Sequence, residues 1–95
     1  MNSLVNKYTY VSNDTIDGQL RIVYILMNNK NYKGACNTIS NLIHNIHCAV
    51  ICECEKEILS NIVNESYRSL IDIAFKRYNS VNTRIMDMHY MVKSY

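Results

Sequence analysis

Proline and tryptophan are missing from this chain, phenylalanine occurs once, and there are only two glycines, Gly18 and Gly34. Sandwiches and barrels reverse direction often, and their turns draw on Gly and Pro. The scarcity argues against a turn-rich β architecture and favours a few helices with short connections. Long apolar runs are lacking as well. The longest, Ile22-Val23-Tyr24-Ile25-Leu26-Met27, falls far short of the roughly 20 residues that span a bilayer. The opening stretch Met1-Asn2-Ser3-Leu4-Val5-Asn6-Lys7 carries no apolar segment of the secretory kind. A large charge excess is also absent: the formal net charge is +2, too small to imply nucleic acid.

Four cysteines, Cys36, Cys48, Cys52 and Cys54, are crowded into the middle of the chain. Three fall on one expected helix, a poor arrangement for a disulfide framework, so the reading is a reducing cytosol. Hydrophobic residues make up 48% and charged residues 19%, which excludes a disordered chain. The 95 residues suffice for a single domain over 1–95. A domain this small buries only about 60–65% of the surface its unfolded chain exposes, so a partner covering leftover apolar surface would add to its stability. Asn is frequent and can take the left-handed conformation that ends helices. Because Asn, Ile, Lys and Tyr share AT-rich codons, the Asn content is not read as prion-like.

Residues 1–14 read as a polar N-terminal segment with Tyr8, Tyr10 and Val11 as docking points and room for a short helix over 3–10. Asn13 or Asp14 suits an N-cap. The first strong helix is expected from about Thr15 to Met27 or Asn28, on Ile16, Leu20, Val23, Tyr24 and Met27. Ile22, Ile25 and Leu26 make it apolar on most sides, as in a helix sandwiched between neighbours. The second, from about Tyr32 to Ile43, has the clearest stripe: Tyr32, Ala35, Cys36, Ile39, Leu42 and Ile43. So short a connection makes these two an antiparallel hairpin. A third helix is expected over about Ile46 to Lys56, and a fourth over about Ile58 to Tyr78. The fourth has a buried stripe of Leu59, Ile62, Val63, Tyr67, Leu70, Ile71, Ala74 and Tyr78. A break follows at Asn79-Ser80-Val81-Asn82, and a last helix runs from about Thr83 to Ser94 on Ile85, Met88, Met91, Val92 and Tyr95. The expected fold is all-α, about five helices in successive hairpins.

Little in this pattern is catalytic. His44, Cys48 and Cys52 share one helix face, but a tetrahedral zinc site needs a second ligand pair, and the sequence supplies none. His47 and Cys48 are adjacent and point to different helix faces, so they make no nucleophile–base pair. Glu53, Glu55 and Glu57 splay as a solvated face. Lys76, Arg77, Arg84 and Lys93 are interrupted by Glu65, Asp72 and Asp87, a thin footprint for nucleic acid. Asn13-Asp14-Thr15 and Asn64-Glu65-Ser66 match the glycosylation pattern by chance in an Asn-rich chain. The expectation is no enzyme activity, no metal and no cofactor.

The segment Leu20 to Ile43 resembles one tetratricopeptide (TPR) hairpin, a repeat of about 34 residues. Lys30-Asn31-Tyr32-Lys33-Gly34-Ala35 stands where TPRs carry G-D/N-Y-x-x-A, with Ala35 at the close helix crossing and Ile39 at the following large position. Lys30 replaces the usual turn glycine, and Val23 a usually small residue; a left-handed Asn near Lys30 is expected to make the turn. Over about residues 20–95 the chain also resembles the TPR-like needle-subunit chaperones of type III secretion systems, the YscG, PscG and EscG group. The resemblance is carried by Leu26-Met27-Asn28 with Tyr32 and Ala35, by Val50-Ile51-Cys52-Glu53, and by Asn82-Thr83-Arg84-Ile85.

That resemblance implies a chaperone in the bacterial cytoplasm. It would hold the needle subunit's amphipathic C-terminal helix in a concave apolar groove, preventing premature polymerisation, with a second small helical co-chaperone completing a heterotrimer. In TPR hairpins the first helix of each pair lines the concave face, which here carries over to Leu20, Tyr24 and Met27. By analogy Val50, Ile51 and Cys54 form the next row. Rival readings are another small helical adaptor, for instance a viral one, and a helical nucleic-acid binder.

Overall fold

The computed structural model describes residues 13–49 and 55–93. Among them are four helices: α1, Asn13–Asn28; α2, Tyr32–Cys48; α3, Lys56–Ala74; and α4, Tyr78–Lys93. No strand occurs among the described residues. The described residues are therefore all-helical, with four helices among them where about five were expected for the whole chain. The short helix expected over 3–10 lies outside the described residues. Asn13 and Asp14 already belong to α1.

The α1–α2 turn is tight because two backbone hydrogen bonds close it. Lys30 N–H donates to Met27 C=O (3.0 Å) and Asn31 N–H to Leu26 C=O (2.8 Å), with Lys30 at φ 60°. This is the Schellman ending, and the residue in the left-handed region is Lys30 itself, not a neighbouring Asn. Asn31 then caps α2, its Oδ1 accepting from Gly34 N–H at 3.0 Å. A Cβ on Gly34 would stand 2.9 Å from the Asn31 side chain, so this glycine makes room for its own cap.

The α3–α4 turn repeats the device. Lys76, at φ 61°, donates its N–H to Ile73 C=O (3.0 Å), and Arg77 N–H donates to Asp72 C=O (2.7 Å). The break expected at 79–82 thus falls earlier, at Phe75–Arg77, and Val81 inside the expected break is fully buried. No Gly, Pro or Asn marks the turn, because backbone hydrogen bonding alone holds Lys76 there. Tyr78, expected at the end of one long helix, instead opens the next and stacks on Tyr32, ring centroids 3.9 Å apart.

These matches extend along both hairpins. Lys30 and Tyr32 lie 46 residues before Lys76 and Tyr78, and the same offset relates the buried Ile16, Leu20, Val23 and Met27 of α1 to the buried Ile62, Ser66, Ser69 and Ile73 of α3. It also relates Ala35, Ile39, Leu42 and Ile46 of α2 to Val81, Ile85, Met88 and Val92 of α4. The fold is two like hairpins sharing one core. Contacts run α1–α2, α2–α3, α3–α4 and α4–α1, so the ring closes on itself. An open TPR stack would leave its first and last helices apart. Fully buried side chains such as Ile16, Leu42 and Ile62 contribute about 1.5–3 kcal/mol each before chain entropy is set against them.

Two expectations change here. Ile46–Cys48, given above to a third helix, complete α2, which Ala49 caps; residues 50–54 lie outside the described residues. On α3, Leu59, Ile62 and Val63 are buried as expected, but Tyr67, Ile71 and Ala74 are exposed. Ser66, Ser69 and Asp72 take their place in the core. The serines donate to carbonyls one turn back, Ser66 Oγ to Ile62 (2.7 Å) and Ser69 Oγ to Glu65 (2.9 Å), which lets them be buried. Asp72 is met by Arg84 from α4 (Nε–Oδ2 2.7 Å) and by Arg77 (3.1 Å), and Arg84 also reaches Glu65 at 2.8 Å. The hydrogen bond from Arg84 chiefly holds the Asp72 carboxyl below its ordinary range, and the same bond raises the Arg84 guanidinium.

Candidate functional site

A helix with apolar residues all round should be covered on most sides. In α1 only the side carrying Ile16, Leu20, Val23 and Met27 is buried; Ile22, Tyr24 and Ile25 are exposed at 49%, 44% and 55%. On the neighbouring α4, Met86 and Tyr90 are exposed one turn apart. Five of the eight large hydrophobic side chains that remain exposed among the described residues thus lie on α1 and α4. Between these helices runs a groove of about 280 Å³, lined by Arg21, Tyr24, Ile25, Ile85, Met86 and His89.

The groove ends in a polar recess of about 310 Å³ lined by Asp17, Arg21, Met86, His89, Tyr90 and Lys93. Here Asp17 ties the seam together. Arg21, one turn along α1, reaches its Oδ2 at 3.0 Å, and His89 Nδ1 on α4 contacts its Oδ1. The contact spans the first and last helices and helps close the ring.

The opposite seam, between α2 and α3, is built differently. The counterparts of Asp17 and His89 are Val63 and Ile43, both buried apolar residues. Its recesses, of about 330 and 450 Å³, both include His47 and Tyr67, and His47, Lys56, Ser60 and Asn64 make up half the lining of the larger. The larger volume therefore belongs to the more polar site, and the apolar groove between α1 and α4 is the better seat for a hydrophobic ligand. A second apolar row, Tyr67, Ile71 and Phe75, follows the outer face of α3, where Arg77 stands over the Phe75 ring at 5.2 Å.

Of the residues expected to line a groove, Tyr24 does so. Leu20 and Met27 do not: they are 1% and 5% exposed and sit in the core, because closure of the ring covers the face that an open stack would leave free. Val50, Ile51 and Cys54 lie outside the described residues. Sequence spacing alone does not mark Ile25, Ile85, Met86 or His89 as groove residues. The available signals were the excess apolar residues of α1 and the Met86–Tyr90 spacing.

Cys48 is exposed, with its Sγ 3.6 Å from His44 Nε2, while Cys36 is half-buried and its thiol is pushed up by burial. No group of three or more His, Cys, Asp or Glu side chains converges as a metal site among the described residues. Nor is any helix among them long and apolar enough to cross a membrane. No family model, curated protein or solved structure matches the chain.

Proposed function

We propose that this chain is a non-catalytic protein-binding domain that seats an amphipathic helix of a partner protein against α1 and α4. The observation that carries the reading is the unburied apolar face of α1 beside Met86 and Tyr90, with a groove between them. An apolar helix face laid in such a groove gains roughly 25 cal/mol per Å² of buried apolar surface before association costs are subtracted, and needs neither cofactor nor nucleotide.

The specific form of this reading is a cytoplasmic chaperone of a type III needle subunit acting with a second small helical co-chaperone. The similarity of residues 20–95 to the needle chaperones supports it. The repeated helical hairpin is compatible with the TPR resemblance of residues 20–43. In a closed ring the client lies on the outer α1–α4 face, where its own apolar stripe is hidden from other copies of itself.

Co-expression with a type III needle subunit tests this reading. A 1:1 complex is expected, and Tyr24→Asp with Met86→Asp is expected to abolish it while helicity by circular dichroism is retained. Tyr67→Asp with Ile71→Asp, on the other face, is expected to leave it intact. Loss with the second pair alone would move the site to α3.

A further inference from the structure

The groove between α1 and α4 is not electrically neutral at its end. Both carboxylate oxygens of Asp17 are engaged, one by the Arg21 guanidinium and one by the His89 ring. Lys93 lines the same recess and forms no ion pair among the described residues. Among the described residues, Asp17 is the carboxylate that lines it. The recess and the apolar groove share Arg21, Met86 and His89, so they form one continuous trough, apolar along its length, with the cations Arg21 and Lys93 against the carboxylate of Asp17 at one end.

Gly18 adds a steric observation. It lies inside α1, where glycine costs about 0.5–1 kcal/mol relative to alanine. Among the described residues nothing stands within 4 Å of the position a Cβ would take, so their packing gives no reason for it. Gly18, Ile22 and Ile25 follow one another at i, i+4 and i+7 on one face. The bare backbone at Gly18 lets another helix cross α1 closely beside the basic recess.

We propose that the segment recognised by this trough is an acidic amphipathic helix: its apolar stripe lies between Tyr24, Ile25 and Met86, and a Glu or Asp about one turn away enters the recess to meet Arg21 and Lys93. The assignment rests on the binding role proposed above and specifies the chemistry of the ligand. The carboxylate offsets the excess of Arg21 and Lys93 over Asp17, and opposite charge at a groove rim raises association rate and selectivity more than raw affinity.

The probe is a pair of synthetic helical peptides of about 18 residues, some five turns. They have identical leucine stripes and differ only in carrying Glu or Lys at the flanking positions. Fluorescence anisotropy against the full chain is expected to show the Glu peptide binding about tenfold more tightly at low salt, an advantage that shrinks as salt screens the recess. Lys93→Glu, at an exposed position, is expected to erase most of the preference, and Arg21→Glu with Lys93→Glu to reverse it. Equal binding of both peptides, or preference for Lys, overturns the acidic-helix assignment and leaves the groove reading standing. Binding of neither peptide overturns both. Sedimentation of the chain alone is expected to show a monomer; a dimer dissolved by Ile25→Asp would make a second copy the occupant and overturn the assignment.

Discussion

Leu20, Val23 and Leu26 in the first hairpin stand where Ser66, Ser69 and Asp72 stand in the second. The turns are alike, the tyrosines that follow them stack on one another, and the buried positions correspond. Yet one hairpin fills these positions with hydrocarbon, and the other with two hydroxyls and a carboxylate held by Arg84 and Arg77. The seams differ in the reverse sense. Asp17 and His89 close α1 against α4, where Val63 and Ile43 close α3 against α2. A backbone of this kind accepts either chemistry where the buried hydroxyls and the carboxylate find partners, as Ser66, Ser69 and Asp72 do.

The largest expected effect tests that proviso. Asp72→Ala leaves Arg84 with Glu65 alone and should cost about 1.5–3 kcal/mol in chemical denaturation. Installing the first hairpin's residues at the matching positions, Glu65→Gln, Asp72→Leu and Arg84→Thr together, should recover most of that loss, since a packed apolar replacement of a buried ion pair is often neutral or stabilising. If the triple variant is as unstable as Asp72→Ala, the two hairpins are not interchangeable in this way. The wild-type pair should also make stability fall in acid. With the Asp72 carboxyl held below its unfolded value, its contribution is complete above the ordinary carboxylate range and is lost as pH falls through the folded value. In the triple variant that part of the acid sensitivity should disappear.

Smaller effects compare the turns and the glycines. Lys30→Gly and Lys76→Gly should each stabilise by up to about 1 kcal/mol, because the left-handed conformation strains a side chain and not a glycine. Similar gains at both sites would support equivalent turns. Gly34→Ala should instead cost about 0.5–2 kcal/mol by pushing the Asn31 cap aside. Gly18→Ala should stabilise by about 0.5–1 kcal/mol, since its added methyl group meets no described residue. Smallest of all, Ile25→Asp and Ile71→Asp should each change stability by no more than about 0.5 kcal/mol, because both are half exposed. A large loss at Ile25 alone would mean that it supports the fold and would remove it from the binding face.

Much of this architecture was legible from residue spacing. The α2 stripe Tyr32, Ala35, Cys36, Ile39, Leu42 and Ile43 is buried or half-buried as its period requires, and the short link forces the first hairpin. The second hairpin was harder to read for a physical reason. Apolar periodicity places Tyr67 and Ile71 inside, but burial of Asp72 depends on Arg77 and on Arg84 in α4, and residues on different helices leave no trace in a local pattern. The turn at Lys76 carries no breaker residue, so its position was equally hidden.

Helical class, the first hairpin and an excess of hydrocarbon on α1 follow from the chain alone, because scarce turn residues and a period of about 3.6 act within a single helix. Which part of that hydrocarbon stays outside was decided only in three dimensions. When α4 packs against α1, Leu20 and Met27 are sealed in the core, while Tyr24 and Ile25 remain beside Met86 at the rim of an open groove. Burial is a property of the completed ring, set by contacts between residues far apart in sequence.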